Sequence, residues 1–296
     1  MEPARVVPRR IWRQGSPSAG SRSIPEETAV ALTYNGGTYA VMMTTPQDLR
    51  DFAVGFSLSE GVISSSADID SLDIVHLDDG VELRMWLSQP KADRLRERRR
   101  HIAGPTGCGL CGIESIAEAM HPAAVVAPGR QFSPEQIMAA MRSLPSRQKL
   151  NVETRAVHAA AFWNATSGIV ALREDVGRHN ALDKLSGALA HGSIEAGEGI
   201  ILLTSRVSVE MVQKSAAIGA AVMVSVSAPT ALAVRMADAA GITLAAIARA
   251  DGFEVFTHPG RISHAAIEVQ PQPQHISVEA ISMPTFQRSA RCESLS

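Results

Sequence analysis

Between Thr28 and Thr45 the chain reads TAVALTYNGGTYAVMMTT, with β-branched and aromatic residues on either side of Asn35-Gly36-Gly37. Positive φ costs little at such a turn, so the pattern predicts a β-hairpin. Thr45, Pro46 and Asp48 then read as the N-cap, first-turn proline and first-turn acid of a helix. Its apolar stripe is Leu49, Phe52, Ala53 and Phe56, and it stops before Gly61. LDIVHLDDGVELRMWL predicts a second hairpin turning at Asp78-Asp79-Gly80. Residues 25–105 are therefore expected to form a small α+β domain.

The rhythm changes after residue 112. HAAAFW and GIVAL pair as strands around Asn164 to Gly168, and a helix follows near Arg178 to Ala190. The buried-strand run GIILLT, a helix from Ser208 to Ile218, the strand AVMVSVS, a helix after Pro229 and the strand ITLAAIA continue the alternation. Strands and helices in turn predict a layered α/β sheet with crossover helices over residues 113–268. The flanks lack this patterning. Residues 1–24, rich in Arg, Pro, Gly and Ser, are expected as a disordered leader, and 269–296 as a flexible tail in which Cys292 is incidental.

A composition of 45% hydrophobic and 20% charged residues is globular. With 28 basic against 30 acidic side chains, no global charge calls for nucleic acid or an anionic membrane, so any anion site must be local. No segment reaches the roughly 20 apolar residues of a membrane span, and the first 24 residues hold no signal-peptide core. The expectation is a soluble, cytoplasmic protein. Three cysteines, Cys108, Cys111 and Cys292, are too few for a secreted disulfide framework.

Two of those cysteines lie in GPTGCGLCG, Gly104 to Gly112. A C-x-x-C can be half of a zinc site, but no second pair exists, and His101 and His121 lack finger spacing. A thioredoxin-like couple would sit at a strand-to-helix turn, whereas this one sits between domains. A zinc deaminase is disfavoured too, since His158 precedes Ala159-Ala160 and the C-x-x-C lies upstream of it. The remaining reading is a thiolate on a mobile arm, residues 106–112, whose glycines permit close approach to partners. A helix starting near Ile113 would lower a cysteine pKa through its dipole. Sulfane sulfur moves between such thiols by the logic of thiol–disulfide exchange, and a neighbouring cysteine resolves the spent state. No resident metal is expected. The charged run KADRLRERRR, Lys91 to Arg100, reads as a solvated face that could also steer an acidic partner to the arm.

Polar residues gather where the later strands end. Arg178 and His179 stand at one strand-to-helix turn, with Lys184 one turn on in REDVGRHNALDKLSG. As an isolated amphipathic helix, that segment would turn Asp183 and Lys184 to solvent. Ser205 and Arg206 stand at the next strand end, ahead of a helix carrying Lys214, and Ser227 and Thr230 at a third. Backbone N–H groups and helix dipoles at such strand ends suit a phosphorylated ligand.

At these residues the chain resembles the FdhD family of sulfurtransferases that activate formate dehydrogenases. The match rests on GFSLSEGVI (55–63), TGCGLCG (106–112), EDVGRHNALDK (174–184), SRVSVEMVQK (205–214), SAPTALAV (227–234), GITL (241–244) and THPGRI (257–262). The resemblance implies a cytidine-deaminase-like layered α/β domain preceded by the small α+β domain, and a homodimer. It implies a sulfur carrier that loads a persulfide on Cys108, with Cys111 as its partner, from a cysteine desulfurase. The recipient it implies is the molybdenum cofactor bis(molybdopterin guanine dinucleotide), bound as substrate before insertion into formate dehydrogenase. It also places guanine-dinucleotide contacts on Ile247, Ala248, Arg249, Ala250, Asp251 and Gly252, with Arg249 as the anion partner. The rival readings are a non-catalytic molybdenum-cofactor chaperone with a zinc-bound cysteine loop, and a plain dithiol reductase.

Overall fold

A computed structural model describes residues 1–88 and 121–263. The first hairpin forms as β3 (Thr28–Tyr34) and β4 (Gly37–Thr44), the second as β5 (Ile69–Leu77) and β6 (Gly80–Leu87). They join through a parallel β3–β6 ladder into a four-stranded sheet ordered β4-β3-β6-β5. Alternation along the strands turns Val30, Leu32, Leu83 and Met85 to one face, where α1 (Leu49–Ser59) covers them with Phe52 and Phe56. The helix begins later than the sequence suggests. Asp48 takes the N-cap position at φ 53 with no side-chain cap bond, because Thr44 and Thr45 are committed elsewhere. The Thr44 hydroxyl and the Thr45 N–H both donate to Asp175.

The second sheet runs β12-β11-β10-β9-β7-β8. Its parallel centre is β9 (Ile200–Leu203), β10 (Val222–Ser225) and β11 (Thr243–Arg249). Antiparallel strands β7 (His158–Asn164) and β8 (Gly168–Asp175) flank it on one side and β12 (Gly252–Val255) on the other. The central strands are buried on both faces, as crossover topology requires. Helices α4 (Arg178–His191), α5 (Val209–Ile218) and α6 (Ala231–Ala239) pack on one face through Leu182, Leu185, Met211, Val212 and Met236. On the other, α2 (Pro134–Ser143) packs through Ile137, Ala140 and Met141. Its start is a capping box: Ser133 Oγ accepts from Gln136 N, and Gln136 Oε1 accepts from Ser133 N. A short helix α3 (Lys149–Thr154) follows, its first N–H groups at Leu150 and Asn151 donating to Glu174 at 2.8 Å each.

The two sheets meet where α1 crosses α4. A Cβ on Gly55 would stand 1.7 Å from Asp183 O, and one on Gly187 1.9 Å from Asp51 O, so backbone rests directly on backbone. Sandwiched in this way, α4 is buried nearly all round, its polar residues included. Lys184 is 0% exposed, and its ammonium donates to Asp175 Oδ2 at 2.6 Å and Thr45 O at 2.8 Å. Burial pushes its pKa below the ordinary lysine value, against the pull of Asp175. Asp183 takes Ser59 Oγ at 2.7 Å and the Lys214 ammonium at 2.8 Å. Burial pushes Lys214 down, but the Asp183 and Glu60 carboxylates outweigh it and leave the amine raised. The expectation of Asp183 and Lys184 in solvent is thus corrected: a second layer covers the face that an isolated helix would expose.

One compact unit spans Met1–His264. The expected boundaries at 105, 106–112 and 113, the cysteine arm, the charged run from Lys91 to Arg100 and the tail from 269 lie outside the described residues. The expected leader does not remain unstructured. Its residues form β1 (Ala4–Arg13) and β2 (Ser16–Pro25), an antiparallel ribbon turning at Gln14-Gly15. Gly15 at φ 79 supplies the left-handed turn residue that such a connection needs.

Asp183→Asn leaves the Lys214 ammonium buried without its nearest countercharge and is expected to cost about 3–5 kcal/mol of unfolding free energy. In a denaturant double-mutant cycle, adding Lys214→Met should recover part of that loss; strict additivity would show that the pair is not coupled. Gly187→Ala should cost about 2 kcal/mol or more of unfolding free energy, and so lower the melting temperature, despite alanine's better helix propensity. An unchanged melting temperature would mean that the helices are not in backbone contact.

Candidate functional site

The C-terminal ends of β9, β10 and β11 lie side by side. The antiparallel β7 brings its N-terminal end, at His158, to the same edge, since Ala160 faces Leu203 and Thr204 N donates to Ala159 O. His158 in turn faces Asp175, the last residue of β8. One edge of the sheet therefore gathers the turns 176–177, 204–208, 226–230 and 249–252. Open α/β sheets take their ligands at this edge.

Of the residues expected there, Arg178 and His179 open α4, half-buried, from an N-cap at Gly177 that has no side-chain cap. Arg206 is exposed in the turn before α5. Ser205 is buried: its hydroxyl donates to Arg206 O at 3.3 Å, and its carbonyl accepts from Ser225 Oγ at 2.7 Å. Ser227 O accepts from Ile247 N at 3.3 Å, tying the β10 and β11 ends together. Thr230 spends its hydroxyl capping α6, where it accepts from Ala233 N at 3.2 Å. The Arg249 guanidinium donates to Val226 O and, at 3.2 Å, to Ala248 O, yet the side chain stays exposed at the edge. Ala250 and Asp251 form the exposed turn into Gly252 and β12, and Ala248 is buried. Ile247 sits at the register shift of that ladder with φ 53. A β-branched residue held in the left-handed region carries about 1–3 kcal/mol of strain.

Lys184 and Lys214 are not part of this edge's ligand-facing surface. Both ammonium groups are consumed by internal carboxylates, so an anion would have to break buried ion pairs to reach them. The segment EDVGRHNALDK divides accordingly. Glu174 caps α3, while Asn180 and Lys184 donate to Asp175, and Asp183 accepts from Lys214. Only Arg178 and His179 face the edge.

Three further residues join them, of which Ser208 belongs to the expected polar strand end and Glu210 and His158 do not. Ser208, 9% exposed, is the N-cap of α5, yet its hydroxyl makes no cap bond. Glu210 Oε2 stands 3.9 Å from His179 Nε2, and that ring holds the carboxyl down to about 2 while burial works the other way. His158 is pushed below the ordinary histidine value by burial and then by the Arg178 charge. Arg178 Nε, His179 Nε2, Ser208 Oγ and Glu210 Oε2 are all buried atoms with no hydrogen-bond partner among the described residues. Ser208 had a sequence signal, a serine directly before a helix. Glu210 had none, since a first-turn acid is ordinary helix chemistry.

Two uncapped helix N-termini, guanidinium groups at Arg178, Arg206 and Arg249, and unsatisfied buried donors make the edge suited to an oxyanion. Among the described residues no group of three or more His, Cys, Asp or Glu could hold a metal ion. Nor is any described helix long and apolar enough to cross a membrane.

A model of the FdhD/NarQ family matches residues 25–263. The sulfur carrier protein FdhD of Agrobacterium fabrum is 51% identical over 259 residues, covering 87% of this chain and 96% of that protein. Its counterpart in Cupriavidus necator is 48% identical over 255 residues, 86% of this chain and 88% of that one. A crystal structure from Desulfotalea psychrophila, ascribed to a formate dehydrogenase accessory protein, superposes with a TM-score of 0.68 at 24% identity. It covers 88% of this chain and 100% of that one, and at this identity it speaks for the fold alone. Both sheets and the edge between their turns fall inside the matched residues, and the chain belongs to the FdhD/NarQ family.

Proposed function

We propose that this chain is a sulfur carrier that accepts sulfane sulfur from a cysteine desulfurase on Cys108 and delivers it to a guanine-dinucleotide molybdenum cofactor destined for formate dehydrogenase. The sulfur-carrier part is supported by family membership and by the relatives named for that role. The observation that supports the cofactor part is the strand-end edge, where Arg178, Arg206 and Arg249 stand around two uncapped helix N-termini. A pyrophosphate-linked dinucleotide has the charge that such an edge favours, and Ser208 and the Arg178 guanidinium hold unspent hydrogen-bonding atoms there. The cofactor is cargo in this reading, so the chain binds and releases it.

The sulfur chemistry balances on two thiols. The Cys108 thiolate attacks the terminal sulfur of the desulfurase persulfide; that S–S bond breaks, a new one forms on Cys108, and the donor cysteine leaves as thiolate. For delivery, the Cys111 thiolate attacks Cys108 Sγ. The terminal sulfur departs as sulfide with both bonding electrons, leaving a Cys108–Cys111 disulfide that a dithiol reductant resets. Soluble, cytoplasmic operation and a homodimer belong to the same reading.

Incubation with a cysteine desulfurase and cysteine should add the mass of one sulfur atom to the Cys108 peptide, removable by reductant and absent from Cys108→Ala. If no sulfur is added while the desulfurase is active, and zinc is bound stoichiometrically but lost in Cys108→Ser, the zinc-clamped chaperone reading replaces this one. Arg206→Glu should weaken guanosine diphosphate binding about tenfold or more in calorimetry, the worth of a charge-assisted contact, without moving the melting temperature. An unchanged affinity would place the nucleotide away from this edge.

A further inference from the structure

All but the last residue of the β1–β2 ribbon lies outside the residues matched by the family model, and the strand-end site makes no use of it. From Ala4 to Pro25 the ribbon carries Arg5, Arg9, Arg10, Arg13 and Arg22 and no acidic residue, in a chain whose formal net charge is −2. Its register sorts these charges. Arg5 faces Ile24, Val7 faces Arg22, Arg9 faces Gly20 and Arg13 faces Ser16. Directly opposed residues of an antiparallel pair share a face and successive residues alternate, so Arg5, Arg9, Arg13 and Arg22 project from one side. Arg10 and Trp12, the latter 70% exposed, project from the other.

Arg5 is paired with Glu26 at 3.3 Å, and Arg22 donates to Thr154 O at 2.9 Å. Arg9, Arg10 and Arg13 have no ion pair among the described residues. On the same strand, Arg9 and Arg13 stand about 13 Å apart at about 3.3 Å per residue. Two strands without a third are marginal by themselves. Helix α3 meets β2 at Arg22 and Ser23, whose side chains donate to Thr154 O and Glu153, so the backbone edge left open on β2 runs from Ser16 to Ser21. The edges are not equivalent. Each strand carries a proline, Pro8 and Pro17, but β1 also carries most of the arginines, which obstruct pairing, whereas β2 offers small side chains at Ser16, Ser18, Ala19, Gly20 and Ser21.

We infer that the ribbon is a docking strand for an extended acidic segment of a partner protein, which adds to the β2 edge and sets carboxylates four residues apart against Arg9 and Arg13. Arg9 and Arg13 stand on β1, two strand spacings or about 10 Å from the added strand, and an extended arginine meets a glutamate there by leaning over Gly20 and Ser16, which are too small to block it. Main-chain pairing supplies the affinity, and the arginine face selects the sequence. A nucleic acid fits less well. Glu26, Glu27, Asp78 and Asp79 line a recess at the foot of the ribbon, where a phosphate backbone continuing along it would be repelled. A short strand beside Ser16 to Ser21 stops before them.

The test is fluorescence anisotropy with the full chain and a labelled peptide of about six residues, an ordinary strand length, in which glutamate alternates with threonine. The peptide should bind, weaken with salt, and lose about tenfold or more in affinity on Arg9→Ser/Arg13→Ser at unchanged melting temperature. Its glutamine counterpart should not bind. Equal binding by the double variant, no binding of the glutamate peptide, or equal binding of the glutamine peptide would each overturn the inference. Tighter binding of an oligo-dT strand, lost in the same variant, would replace the acidic segment by nucleic acid.

Discussion

The buried carboxylate of Asp175 is the constraint on which the rest of the molecule depends. One oxygen accepts from the Thr44 hydroxyl, the Thr45 N–H and the Lys184 ammonium, the other from Gly177 N and Asn180 Nδ2. A charge taken so far from water costs several kcal/mol unless it is paired and fully hydrogen-bonded. Its donors come from three places: the end of β4 with the following loop, the turn after β8, and α4. None of the three can leave without stranding the others, so the carboxylate fixes where the small sheet meets the large one. It also fixes the turn from which Arg178 and His179 project.

That arrangement separates two tasks within one continuous stretch. Glu174, Asp175, Asn180, Asp183 and Lys184 hold layers together, and Arg178 and His179 face outward between them. Ligand-facing groups thereby inherit their positions from buried ion pairs rather than from a loop of their own. The same division explains why the edge can leave Ser208 Oγ and Arg178 Nε unsatisfied: stability is supplied elsewhere, and the open hydrogen-bonding capacity lies buried just beneath that edge.

Much of this was legible in the sequence where one physical rule governed a segment. Both hairpins announced themselves through Asn35-Gly36-Gly37 and Asp78-Asp79-Gly80, and the parallel centre through short apolar runs separated by helix-length spacings. The carboxyl edge followed from that alternation alone. What failed did so for definite reasons. Periodicity sees a helix as a cylinder with one wet side, and it could not anticipate that α1 covers the second side of α4, turning Lys184 and Lys214 from apparent ligand groups into internal ion-pair partners. Composition misjudged residues 1–24, because arginine, proline and serine look the same in a solvated ribbon as in a disordered chain. Thr45 and Pro46 carried a helix-start signal that a distant carboxylate overrode. The capping box at Ser133 and Gln136 and the helically spaced apolar residues Ile137, Ala140, Met141 and Leu144 behind it were there to be read and were passed over.

The contact between Gly55 and Gly187 works as a rivet. With no side chain between the two backbones at that crossing, there is no deformable layer there through which one sheet could rock against the other, and a hinge would have to pull backbone from backbone. Any adjustment of the sheet edge therefore falls to the turns at 176–177, 204–208, 226–230 and 249–252. The molecule is better pictured as a fixed palate with adjustable gums than as a pair of jaws.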